Sequence, residues 1–160
     1  MAQSTFDAAA FEATVIEAAN ETHMTPVPED DYVVIIDKVR IKTIAVSKGD
    51  RAGQEVPVLE LILGIVDEDG KLAKLMNREK ITLRHDIWLE VNEHGGLAFG
   101  PNQNVQLGRL REACNLNKPG KPFSYGMLEG QGPLHASVTQ TEPNEAGDVY
   151  NRITRLQKAA

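Results

Sequence analysis

From residue 32 to the end, the apolar residues gather into five runs of strand character and one of helical character. The strand runs are 32–41, 56–66, 80–91, 128–139 and 148–156, and the helical stretch, near 104–116, falls between the third and fourth. Alternation is clearest in the third run: Ile81, Leu83, His85, Ile87, Leu89 and Val91 fall on one face, and Lys80, Thr82, Arg84, Asp86, Trp88 and Glu90 on the other. In the first run Val33, Ile35, Val39 and Ile41 share one side. Lys38, Arg40 and Lys42 share the opposite side, in line with Tyr32, Val34 and Ile36. Asp37 breaks the apolar series there, which predicts a bulge or sharp bend.

The helical stretch predicts Asn102 or Asn104 as its cap and a buried side of Val105, Leu107, Leu110, Ala113 and Cys114. Arg109, Arg111 and Glu112 are then left to solvent. Asn117-Lys118-Pro119-Gly120-Lys121-Pro122 stops it. Asp67-Glu68-Asp69-Gly70 predicts a tight turn and lacks the further spaced ligands of a calcium loop. The segment 126–132 has three glycines with no lysine and no following helix, so a flexible lead-in to the fourth strand is expected. At the start of the chain, Ser4 or Thr5 is placed to cap a helix with Asp7 in its first turn, and Met24-Thr25-Pro26-Val27-Pro28 forces an extended linker. The expected organisation is an N-terminal arm, 1–28, and a mainly β domain, 29–160. Five strands with one helix between the third and fourth is the element order of the five-stranded oligonucleotide/oligosaccharide-binding barrel.

Composition narrows the function classes. The chain has 160 residues, 41% of them hydrophobic and 25% charged, as in ordinary globular domains. Its longest apolar run, 56–66, is too short to cross a bilayer, and no basic region precedes an apolar stretch at the start, so no membrane partner and no secretion signal are expected. A single cysteine, Cys114, and four scattered histidines give no ligand spacing, so neither a metal nor another cofactor is expected. No serine sits in a nucleophile elbow, and no separated pair of acids suggests acid–base work. His85 and Cys114 are expected to be packed rather than reactive, and the chain is not expected to be an enzyme.

Net charge is −6, which at first opposes a nucleic-acid partner. Seven of the 23 acidic residues, however, lie in residues 1–31, where no lysine or arginine occurs. The remainder holds all 17 basic residues against 16 acidic ones. The acidity is concentrated in the arm. On the body, Trp88 stands on the polar face of its strand, where an indole can stack on a base or pack beneath the arm or a loop. Lys38, Arg40 and Lys42, with Lys80 and Arg84, could form a basic strip on the same nominal side. Tyr150 is a second stacking candidate, sharing a face with Arg152. The loops around Gly49/Gly53 and across 140–147 correspond to those that clamp a strand in this fold.

Three segments also carry a family resemblance. They are Thr22-His23-Met24-Thr25-Pro26-Val27-Pro28-Glu29-Asp30-Asp31-Tyr32, His85-Asp86-Ile87-Trp88-Leu89-Glu90-Val91, and Asn104-Val105-Gln106-Leu107-Gly108-Arg109-Leu110-Arg111-Glu112-Ala113 followed by Pro119-Gly120-Lys121-Pro122-Phe123. Together they resemble a largely uncharacterised family of small tailed-bacteriophage proteins, some described as single-stranded DNA-binding or replication and recombination accessory proteins. The likeness runs as far as Val149-Tyr150-Asn151-Arg152-Ile153. It implies a phage protein in the host bacterial cytoplasm, with single-stranded DNA, phage replication or recombination proteins and sister subunits as partners. It assigns no functional residue.

The alternative expectation is a structural virion protein, a cement or decoration protein that reaches the major capsid protein through its arm. An interaction module directed at a host enzyme is a third, with only acidity in its favour.

Overall fold

The computed structural model describes residues 6–159. It is mainly β: five strands form one antiparallel sheet with a few short helices around it. In chain order the elements are α1 (Ala8–Glu12), β1 (Asp30–Ala45), β2 (Glu55–Ile65), α2 (Lys71–Met76), β3 (Thr82–Trp88), α3 (Val105–Ala113), a 3-10 turn (Tyr125–Leu128), β4 (Leu134–Gln140) and β5 (Asn151–Lys158). The sheet order is β3-β2-β1-β4-β5, so β1 is central and β3 and β5 are the edges. The sheet curls enough for the two edges to approach each other, and with α3 they line a cleft of about 640 Å³. Among the described residues no helix is long and apolar enough to cross a membrane.

The core lies on the concave side. Leu59, Leu61 and Leu63 of β2 are fully buried there with Val34 and Ile36 of β1, Leu107 and Leu110 of α3, Leu128 and Leu134. Side-chain burial of this kind supplies most of the stability of such a domain. β3 behaves as its alternation predicts, with Leu83, Ile87 and the following Leu89 inward and Arg84 and Trp88 outward. Val91 is a correction. It is exposed because the chain has left the core by then and turns back through an isolated bridge to Leu97.

The bulge expected at Asp37 is present: the β1–β2 register shifts between Ile36 and Lys38. Its consequence corrects the face assignment made from alternation alone. Val34 and Ile36 point inward, and past the extra residue the inward position passes to Val39, which packs on the core. Lys38, Arg40 and Lys42 therefore do not continue the side of Tyr32, Val34 and Ile36; they share the outer surface with Ile35. The bulge is pinned from across the sheet, with Ile36 N–H donating to Gln131 O at 2.9 Å and Gly130 N–H to Ile36 O at 2.7 Å.

Those two bonds also correct the expectation for 126–132. The segment is a 3-10 turn with Leu128 fully buried, fastened to β1, rather than a flexible lead-in. β4 consequently starts at Leu134, six residues later than the apolar run suggested, after Gly130 and Gly132, both at positive φ.

Other local expectations shift for physical reasons. Asp7 is the N-cap of α1 rather than a first-turn residue, accepting from Ala9 N–H at 3.0 Å and Ala10 N–H at 3.3 Å. Ser4 and Thr5 lie outside the described residues. The turn acids also serve a helix, since Asp67 accepts from the N–H groups of Leu72 and Ala73 and so starts α2, which sequence periodicity over so few residues did not reveal. Asn104 precedes α3, yet its side chain turns away to bond Glu90 N–H, Glu90 O and Ala98 O. Val105 is exposed rather than buried. Arg111, expected in solvent, is half-buried, its Nε–H donating to Leu116 O at 3.1 Å.

Gly132 adopts φ +143°, and a Cβ there would stand 3.0 Å from Val34 O and 3.2 Å from Ile35 Cα. Gly132→Ala is therefore expected to lower the unfolding free energy by about 1–3 kcal/mol through strain at this junction, read by urea denaturation.

Candidate nucleic-acid interface

The outer surface of β1, β2 and β3 is built in cross-strand rows. Register places Lys38, Ile62 and Arg84 in one row, Arg40, Glu60 and Asp86 in the next, and Lys42, Val58 and Trp88 in the third. Lys80 joins from beyond the β3 terminus, its Nζ 2.8 Å from Asp37 Oδ2. The strip of five cations expected on this side is thus assembled. Trp88 lies at one end of it, 47% exposed, too open to be a core residue.

The middle row contains what alternation missed. Glu60 is only 6% exposed although it lies on the outer side. Its Oε1 accepts from Arg40 Nε at 2.8 Å and its Oε2 from Lys42 Nζ at 2.7 Å. Lys42 Nζ also reaches Asp86 Oδ2 at 2.9 Å. The hydrogen bond from Lys42 holds the Glu60 carboxyl below its ordinary range of 4.5, against the opposing effect of burial, and Arg40 adds to the lowering. The same bond raises the Lys42 ammonium above 10.5, again against burial, with Asp86 contributing. Both groups stay ionised at neutral pH. The signal was present in the sequence: an acid in the middle of a long apolar strand, flanked by basic strands, needs partners to be buried at all.

This network changes the electrostatics of the strip. Of its five cations, Arg40, Lys42 and Lys80 are engaged by Glu60, Asp86 and Asp37. Lys38 and Arg84, which flank Ile62 in a single row, form no ion pair among the described residues and are the cations best placed to meet an anion. Asp86 Oδ1 is buried without a hydrogen-bond partner among the described residues, an acceptor next to the indole.

Tyr150 and Arg152 are not brought into this strip. Tyr150 just precedes β5, its N–H bonded to Thr141 Oγ1, and Arg152 stands opposite Thr139. Both are exposed, but they lie past the Asp30 end of β1, whereas Trp88 lies level with Lys42 near its other end. The two rings therefore belong to different regions. The loop 46–54 closes on itself through Gly53 N–H to Val46 O and stands beside the Trp88 end. The loop 141–150 stands at the other, where Asp148 meets His23 at 2.6 Å. His85 is half-buried on the inner side, and burial lowers its pKa, so it is neutral at physiological pH. Burial likewise raises the Cys114 thiol, which keeps it protonated. Among the described residues no cluster of acids, histidines or cysteines could hold a metal ion.

No protein-family model matches this chain, and no curated protein shows detectable similarity to it.

Because the folded state lowers the Glu60 pKa, ionised Glu60 contributes stability that is fully present above 4.5 and is lost as the pH falls through the lowered value. Glu60→Gln should cost about 1–3 kcal/mol at neutral pH, with Lys42 keeping Asp86. It should also lose less stability than the parent on acidification below 4.5, measured by chemical denaturation across pH.

Proposed function

We propose that this chain binds single-stranded nucleic acid, single-stranded DNA in the first instance, on the outer face of β1, β2 and β3. The observation that carries the reading is the exposed indole of Trp88, aligned through Val58 with Lys42 and followed along the same face by Lys38 and Arg84, cations without an ion pair among the described residues. Bases have a π-face whatever their sequence, so one exposed ring with flanking cations suits a sequence-tolerant contact. The strand order and the single helix between the third and fourth strands support assigning the sheet to the oligonucleotide-binding barrel, closed across the β3–β5 cleft with α3 beneath it. In that fold the face of the second and third strands is the customary binding surface, and the loop 46–54 stands at its Trp88 end.

The resemblance to tailed-phage proteins makes replication or recombination in the host cytoplasm the setting, with phage replication proteins and sister subunits as further partners. The acidic N-terminal arm competes for the cationic face. Residues 6–25 are exposed throughout, carry Asp7, Glu12, Glu17 and Glu21, and include no lysine or arginine.

One observation favours a second reading, assembly in a virion against a capsid partner. Val15 and Ile16 of the arm are 80% and 76% exposed, an arrangement that suits an arm seated on a neighbour.

Titrating fluorescent oligo-dT at two salt concentrations tests the first reading. Binding should weaken steeply with salt and quench the single tryptophan, and Trp88→Ala should lower affinity by about tenfold. Salt-independent or undetectable binding would sink it. Deleting residues 1–24, which stops short of the buried Val27, should tighten binding at low salt. Unchanged affinity, together with loss of self-association in light scattering, would instead assign the arm to assembly.

A further inference from the structure

Away from the sheet face, a second cleft of about 620 Å³ opens between the turn that follows β3 and the Pro/Gly-rich segment that follows α3. Its chemistry differs from that of the strip. Arg111, Lys118 and Lys121 line it together with Phe99, Phe123 and Tyr125, and among the described residues no carboxylate does. Lys118 and Lys121 form no ion pair among the described residues, whereas three of the five cations of the sheet-face strip are engaged.

The rings are arranged in two ways. Phe123 and Tyr125 meet edge to face, with centroids 5.7 Å apart, and the Arg111 guanidinium lies 4.2 Å from the Phe123 centroid. This half of the cleft is a fixed wall, held further by the Arg111 bond to Leu116 O. Phe99 stands opposite as an open ring, 80% exposed. A phenylalanine left so exposed beside fixed cations forgoes the burial that usually places it in a core.

The cleft is also joined to the sheet face. Ala98 N–H donates to Glu90 O at 3.0 Å, so Phe99 follows directly on a residue paired to the extension of β3, two positions past Trp88. The segment 91–104 that carries Phe99 is tied at its far end through Asn104 to Glu90.

We infer that this cleft is a second subsite for single-stranded nucleic acid, in which Phe99 stacks a base while Lys118, Lys121 and Arg111 meet phosphates. It rests on the reading of the β1–β3 face above and extends the path of the same strand from Trp88 around the end of β3. A flexible polyanion carrying flat rings fits both features of the cleft at once. A neutral apolar ligand would leave three cations unanswered, and a plain anion would leave Phe99 uncovered.

The test uses the full chain with Phe99→Ala and with the double variant Lys118→Ala/Lys121→Ala, all at exposed positions, binding labelled oligo-dT long enough to span both regions. Tryptophan quenching reports the sheet face independently, because Trp88 is the only tryptophan. Phe99→Ala should weaken binding by about tenfold. The double variant should reduce the slope of log affinity against log salt by about 1.4, some 0.7 for each lost phosphate contact. Quenching at saturation should persist in both. If both variants match the parent in affinity and slope while Trp88→Ala weakens binding, the inference is overturned and the sheet-face reading stands. Absence of salt-dependent binding in the parent overturns both. If the double variant keeps its oligonucleotide affinity but loses binding to a peptide of residues 6–24, the cleft belongs to the acidic arm and the inference is overturned.

Discussion

At Asp37 the central strand takes in one residue that its neighbour does not match, and the two surfaces of the sheet are sorted there. Before it, Val34 and Ile36 face the core; after it, Val39 does, and the three basic residues of β1 are left outside. If Asp37 were instead paired as an ordinary strand residue, alternation would drive Lys38, Arg40 and Lys42 into the apolar interior, at a cost no small domain could absorb. Several contacts hold the irregularity in place. Backbone bonds tie Ile36 to Gly130 and Gln131, the carboxylate of Asp37 meets Lys80, and Gly64 leaves room for that carboxylate, since a Cβ there would clash with Asp37 Oδ2. The φ of Gly64 falls outside the left-handed range, so what a side chain there would disturb is the Asp37 carboxylate, which would have to shift.

Sorting charge outward does not by itself make a cationic surface. Glu60 and Asp86 sit among the basic side chains and make much of the β1–β3 face a self-neutralised lattice rather than an open field. Such a lattice orders long side chains and holds the Lys42 ammonium against Glu60 and Asp86, at the cost of free charge. On such a face the phosphate contacts fall to the cations outside the lattice, and Trp88 supplies the stacking. Among the described residues, Lys38 and Arg84 stay outside that lattice on the strands, and Lys118 and Lys121 do so in the segment after α3.

Much of this was legible in the chain and some was not, for identifiable reasons. Long apolar runs with clear alternation gave the five strands, and Asp37 announced its bulge by interrupting one of them. Trp88 was placed correctly because β3 is regular up to it. The strip on β1 was placed on the right surface although the face assignment behind it failed. A one-residue shift exchanges every side chain, and a bulge is easier to locate from sequence than its effect on the facing of later residues. Tyr150 failed as a companion to Trp88 because face parity says nothing about which end of a sheet a residue occupies. The partnership of Glu60 with Arg40 and Lys42 and the cleft around Phe99 depend on contacts between distant segments, and no local period encodes them. α2 was missed because six residues hold less than two turns of periodicity, and the acids that start it looked like an ordinary turn.

After the exposed contact of His23 with Asp148, the N-terminal segment is clamped to the domain at Val27, which is buried and held by three bonds: its N–H donates to Asn151 Oδ1 at 2.8 Å, and its carbonyl accepts from Asn151 Nδ2 and Gln140 Nε2. This clamp sits ahead of the first β1–β4 pair, Asp30 with Val138. Tension on the leading residues, from a tether, a translocating motor or a neighbouring subunit, would meet this side-chain knot before it reached the ladder. Such a pull would load the Asn151 and Gln140 side chains first and leave the paired backbone of the sheet at rest.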